Sequence, residues 1–195
     1  MDLQTLPLPL VSLAALALLL VIIVIVLAVR RRNTPAARME RALRQISHAR
    51  LQDIYLPDGV GGHIHVDELL LTSKGLLVLD VKDVPGHVFG SEKMAEWVVM
   101  TGRSRHTFRN PLPGLHDRMA VVRTHLRDIH VEGYVVFTER GRFPKGKPPG
   151  TLTVAELLER FGSAGNDFPQ AFANAWKELE RLADIGREET QRPLA

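Results

Sequence analysis

Asp80 and Lys82 stand two residues apart in the run Leu76-Leu-Val-Leu-Asp80-Val-Lys82. On a strand, that spacing sends an acid and a base out of the same face while Val81 points the other way. Upstream, His63-Ile-His65-Val-Asp67-Glu-Leu-Leu-Leu71 has the composition of a partner strand, and Thr72-Ser-Lys-Gly75 that of the turn between them. A two-residue turn centred on Ser73 and Lys74 sets Asp67 across from Asp80, whereas a three-residue turn sets it opposite Val81 and takes it off the shared face. In the first register two carboxylates meet, and like charges directly opposite each other destabilise a strand pair. A divalent cation offsets that repulsion: Mg²⁺ takes carboxylate oxygens plus several waters, acidifies a bound water and stabilises charge on a phosphoryl oxygen. Lys82 is then placed to orient or deprotonate the attacking water. The alternative is an ordinary solvated strand end.

The elements that position these residues follow from pattern. Met39, Leu43 and Ile46 recur at helical spacing after Asn33-Thr34-Pro35, where Thr34 caps and Pro35 occupies the first turn. The hairpin comes next, its second strand ended by Pro85-Gly86. His87 to Phe89, Trp97 to Met100 and Arg105 to Phe108 read as further short strands of an antiparallel meander. Beyond Asn110-Pro111, the spacing of Leu115, Met119, Val122, Leu126 and Ile129 predicts an amphipathic helix, and Tyr134 to Phe137 a buried strand. Arg140 to Gly150 is a basic loop rich in Pro and Gly. Thr153 with Glu156 forms a capping box for a short helix ending at Gly162. Phe168, Phe172, Trp176 and Leu179 mark one face of a last helix.

Ahead of all this, residues 6–29 carry no charge and are followed at once by Arg30, Arg31 and Arg32. An apolar run of about 20 residues spans a bilayer core, and basic residues favour the cytoplasmic side. The expected organisation is a short extracytoplasmic N-terminus (1–5), a single transmembrane helix (6–29), a basic juxtamembrane linker (30–35) and one domain with its own core. The expected location is the inner cell membrane, with the N-terminus outside and the arginines among anionic lipid headgroups. The chain has no Cys, which excludes disulfides and thiolate metal sites or nucleophiles. A formal charge of +3 allows contact with phosphates without marking a nucleic-acid binder.

The ordered series Val66-Asp67-Glu-Leu-Leu-Leu, Lys74-Gly75-Leu-Leu-Val-Leu-Asp80-Val-Lys82, Gly86-His-Val-Phe-Gly90-Ser91, Trp97 and Phe108-Arg-Asn110-Pro111 resembles the nuclease-related domain, NERD. The resemblance covers roughly Glu40 to Phe137. It implies a domain over 36–137, followed by the basic loop and C-terminal helices over 138–195. The implied fold class is α/β (α+β), with a restriction-endonuclease-like central mixed sheet flanked by helices. Its PD-(D/E)xK signature matches Asp67, Asp80 and Lys82, and Glu40 matches an acidic residue on the first helix. On that footing the chain is expected to be a Mg²⁺-dependent nuclease, with Mn²⁺ as a substitute ion. Asp67, Asp80 and the Val81 carbonyl hold the metal. The alternatives are a non-catalytic module for nucleic acid or protein, or a structural adaptor at the membrane.

Departures from the family pattern are Ala36 and Met39 in place of a Gly-x-x-Gly, Glu68 in place of a His, Asp80 in place of the commoner Glu, and Gly114 in place of a Gln. They fit binding without cutting. Trp97, Trp176, His63 and His65 read as structural residues. Arg103, Arg105, His106 and Arg109, with Arg140, Arg142, Lys145 and Lys147, form a basic cluster suited to a phosphate backbone or to lipid headgroups.

Overall fold

The computed structural model describes residues 16–26, 33–126, 129–165 and 170–191. The chain divides after Arg38 into two units. In the first, residues 16–26 are helical, with apolar side chains exposed. Among the described residues no helix is long and apolar enough to cross a membrane. Most of the expected span over 6–29 lies outside the described residues, as does Phe168. Thr34 accepts a hydrogen bond from the Ala37 amide at 3.2 Å, the cap that its position before Pro35 suggests.

The second unit is an α+β fold. A five-stranded mixed sheet has the order β1 (Ala49–Pro57), β2 (His63–Thr72), β3 (Gly75–Lys82), β7 (Val131–Phe137), β9 (Thr151–Thr153). The first three strands are antiparallel, while β7 runs parallel to both β3 and β9. β3 lies at the centre, and its continuous apolar run is what a strand covered on both faces requires. A second sheet has the order β6 (Ser104–Arg109), β5 (Glu96–Thr101), β4 (Gly86–Phe89), β8 (Gly141–Arg142). Its first three strands are the expected meander.

The helices are α1 (Pro35–Ile46), α2 (Pro111–His125), α3 (Val154–Phe161) and α4 (Ala173–Gln191). Two cores lie on opposite faces of the large sheet. Met39, Leu43 and Ile46 of α1 and Leu157 of α3 meet Leu70, Leu77 and Leu79 in one. Leu112, Leu115 and Val122 of α2, Trp176 and Leu179 of α4, and Trp97 of the small sheet meet Leu69, Leu71 and Val78 in the other.

The hairpin has the two-residue turn, since Thr72 pairs with Gly75 and Glu68 with Leu79. Gly75 has φ 117 and its Cα faces the His130 carbonyl, so a side chain is excluded there on both counts. β1 carries no clear alternation in sequence, because it is an edge strand with Gln52 and Asp53 exposed. Asp53 has a positive φ of 53. Leu51 and Ile54 on β1, and Val66 and Leu69 on β2, border the same core although three positions apart. Strict alternation would put each pair on opposite faces, so both strands distort where Asp53 and Asp67 lie, without a change of register.

Candidate functional site

Asp80 is the centre of the polar cluster. It sits on β3 below Val78 and its side chain is only 3% exposed. Burial pushes its carboxyl above the usual range, and the Lys82 ammonium pulls it back. Lys82 Nζ lies 2.6 Å from Oδ1 in an ion pair. Arg118 of α2 supplies the second cation, with Nη1 3.4 Å from Oδ2, while its Nε donates to the His65 carbonyl at 2.8 Å. The guanidinium is thus tied to β2 and aimed at β3. Four residues earlier on the same helix face, Gly114 leaves space beside it: a Cβ there meets Arg118 Nη1 at 3.7 Å, and a longer side chain would compete for the guanidinium's place.

Asp67 is the next residue beyond the last β2–β3 pair, Glu68 with Leu79, and so stands where the two strands part. Its negative charge is one of the influences raising the Asp80 carboxyl. His65 reaches both neighbouring acids, Nε2 lying 2.6 Å from Asp53 Oδ1 and Nδ1 3.5 Å from Asp67 Oδ1. The structure therefore brings Asp67, Asp80 and Lys82 together and adds Arg118 and His65.

Glu40 is placed elsewhere. It lies on α1, which packs on the opposite face of the sheet, and its carboxylate binds Arg44 at 2.8 Å and Arg50 at 2.7 Å. Arg50 also grips the buried Glu68. The hydrogen bond from Arg50 is the main influence lowering the Glu40 carboxyl. Because Glu68 follows Asp67 on the strand, its side chain joins this other network. Val81 pairs with Val136 and packs its side chain against the α1 core.

A cleft of about 310 Å³ opens beside Asp80. Lys82, Arg109, Asn110, Gly114, Asp117 and Arg118 are among its lining residues. Asn110 builds its rim: Oδ1 accepts from the Leu112 amide at 3.0 Å to cap α2, and Nδ2 donates to the carbonyls of Glu92 and Met94. Trp97 is fully buried, donates to the Ser91 carbonyl, and covers Gly90 so closely that a Cβ would enter its ring. The Gly90-Ser91, Trp97 and Asn110-Pro111 motifs thus hold the cleft rather than supply its chemistry.

Arg118 and Asp117 are residues the sequence did not single out. Nothing in a helical Asp-Arg pair marks it as facing Asp80; only the docking of α2 does so. The basic cluster is partly committed, since Arg140 pairs with Asp83, Lys147 with Glu156, and Lys145 lies over the Phe89 ring. Arg103, Arg105, His106 and Arg109 are exposed.

The fit of a divalent ion is decided by the donors. Mg²⁺ requires about six oxygens in near-octahedral array. Both oxygens of Asp80 already face cations, and Asp67 and Asp80 are balanced in charge by Lys82 and Arg118. Among the described residues no group of three or more His, Asp or Glu side chains is arranged to hold a metal. As placed, the residues offer Mg²⁺ no oxygen of Asp80 that does not already face Lys82 or Arg118.

The nuclease-related domain model, NERD, matches residues 34–138. No curated protein and no solved structure matches the chain.

Proposed function

The chain belongs to the nuclease-related domain family, and on that premise we propose that its domain engages the phosphodiester backbone of a nucleic acid through the Asp80 cleft, tethered to the inner face of a membrane. The observation that carries this is the cleft itself, where Lys82, Arg109 and Arg118 converge beside the positions matching the family's acidic motif. Phosphate oxygens accept charge-assisted hydrogen bonds from such groups, Arg in bidentate fashion. Exposed Arg105 on β6, and Arg103 in the turn before it, extend the basic surface along the strand that ends at Arg109. The anchor is proposed from the uncharged run over 6–29 and the arginine triplet behind it. The β2–β3 placement of Asp67, Asp80 and Lys82 supports reading the large sheet as restriction-endonuclease-like.

Hydrolysis is the second reading, favoured by the gathering of Asp67, Asp80 and Lys82 at one point. The experiment uses the full chain in detergent with labelled single- and double-stranded DNA and RNA. In EDTA, binding is expected to weaken steeply with salt, and Lys82→Ala and Arg109→Ala are each expected to lower the salt slope by about one. No binding at low salt, or binding indifferent to both substitutions, overturns the proposal. Cleavage with Mg²⁺ or Mn²⁺ that is lost in Asp80→Asn would instead establish the hydrolytic reading.

A further inference from the structure

Two acids at a strand junction require positive charge, and this chain supplies it from within. Asp80 is buried, with Lys82 Nζ 2.6 Å from one oxygen and Arg118 Nη1 3.4 Å from the other. Arg118 is no loose surface arginine. Its side chain is mostly buried, its Nε is fixed on the His65 carbonyl, and Gly114 leaves the neighbouring turn of α2 bare beside it. A guanidinium so fixed is a permanent charge, since Arg does not deprotonate in proteins. It also occupies space beside Oδ2.

We infer that Arg118 is the resident cation of the Asp67–Asp80 site, taking over the charge neutralisation that a divalent ion would provide, so that the site rejects Mg²⁺ and Mn²⁺ and presents Arg118 and Lys82 to an anionic ligand of the phosphate class. The inference rests on reading Asp67, Asp80 and Lys82 as the family's acidic site. The physical argument is competition: a dication entering beside Asp80 must either displace the guanidinium, breaking its bond to the His65 carbonyl, or sit next to Lys82 and Arg118, whose charges already offset those of Asp67 and Asp80, in a cleft where Asp117 and Arg109 add one charge of each sign. Removing Arg118 lifts both obstacles and leaves the cleft one positive charge poorer, with Asp67 and Asp80 facing Lys82.

Mn²⁺ itself is the probe, since its bound and free forms are distinguished by electron paramagnetic resonance. Full-length protein in detergent is titrated with Mn²⁺ as wild type, Arg118→Met, Arg118→Gln, Arg118→Lys and the double variant Arg118→Met with Asp80→Asn. Wild type and Arg118→Lys are expected to take up no Mn²⁺ at the site. The neutral variants are expected to gain one bound ion at least about tenfold tighter and a melting temperature that rises with Mn²⁺, as binding to the folded state alone requires. The double variant is expected to lose both gains. Asp80-dependent Mn²⁺ binding by wild type overturns the inference, and so does a folded Arg118→Met or Arg118→Gln protein that ignores Mn²⁺. Arg118→Gln keeps an amide donor toward the His65 carbonyl, so a methionine variant that fails to fold does not end the test. Nucleic-acid binding is measured in the same samples in EDTA, and its loss in wild type would sink the functional proposal while leaving the cation result standing.

Discussion

Lys82 and Arg118 share one buried carboxylate, so removing either leaves Asp80 less compensated. Lys82→Ala is expected to destabilise the fold by about 1–3 kcal/mol at neutral pH, the cost of leaving a buried charge short of a partner. The sign with pH follows. The Asp80 carboxyl is already raised by burial, and loss of the ammonium raises it further. A raised carboxyl favours the folded state at low pH and costs stability as pH rises through it. The deficit of Lys82→Ala in denaturant midpoint is therefore expected to shrink on acidification, and a deficit that grows would refute this account. Asn110 makes a contrasting case. It is buried and bonds one amide and three carbonyls, so Asn110→Ala is expected to cost about 2 kcal/mol or more from the lost cap and the stranded carbonyls together. Urea unfolding measures it.

At the scale of elements, the hairpin and the capping box were both legible because each is a local pattern. The Ser73-Lys74 turn sets the two-residue register, and Thr153 with Glu156 forms the reciprocal cap at the start of α3. Glu156 also binds Lys147, and that bond is the largest influence lowering its carboxyl from 4.5 to about 2. A lowered carboxyl stabilises the fold above its unfolded value and loses that stabilisation as pH falls through the folded one. The group is 42% exposed, so solvent screening reduces the contribution to about 1 kcal/mol. Glu156→Gln is expected to fall short of wild type near neutrality and to converge with it as pH drops from 4.5 toward 2, as followed by thermal melts. β1 was not legible. Its edge position leaves no alternation to read, and the turn of the chain at Asp53 breaks what pattern there is. Glu40 was misleading in the same way, since its place on a helix says nothing about which face of the sheet that helix covers.

For the whole molecule, the absence of Cys makes topology directly measurable. Asp2→Cys is expected to react with a membrane-impermeant thiol reagent in intact cells, and Arg103→Cys only after permeabilisation. Labelling in the opposite order would overturn the orientation, and equal labelling of both would overturn the anchor. The sequence by itself determined the uncharged run and its arginine flank, the hairpin and meander with the helices around them, and the β3 spacing that puts Asp80 and Lys82 on one face, because each depends on neighbours along the chain. Only the tertiary structure decided what surrounds Asp80. The parallel β3–β7 pairing buries it, the parting of β2 from β3 sets Asp67 beside it, and the docking of α2 brings in Arg118 from 38 residues away. Charge balance at a site depends on every group within a few ångströms. Those groups come from elements whose packing faces are fixed by burying two cores at once, so no single stretch of sequence contains them.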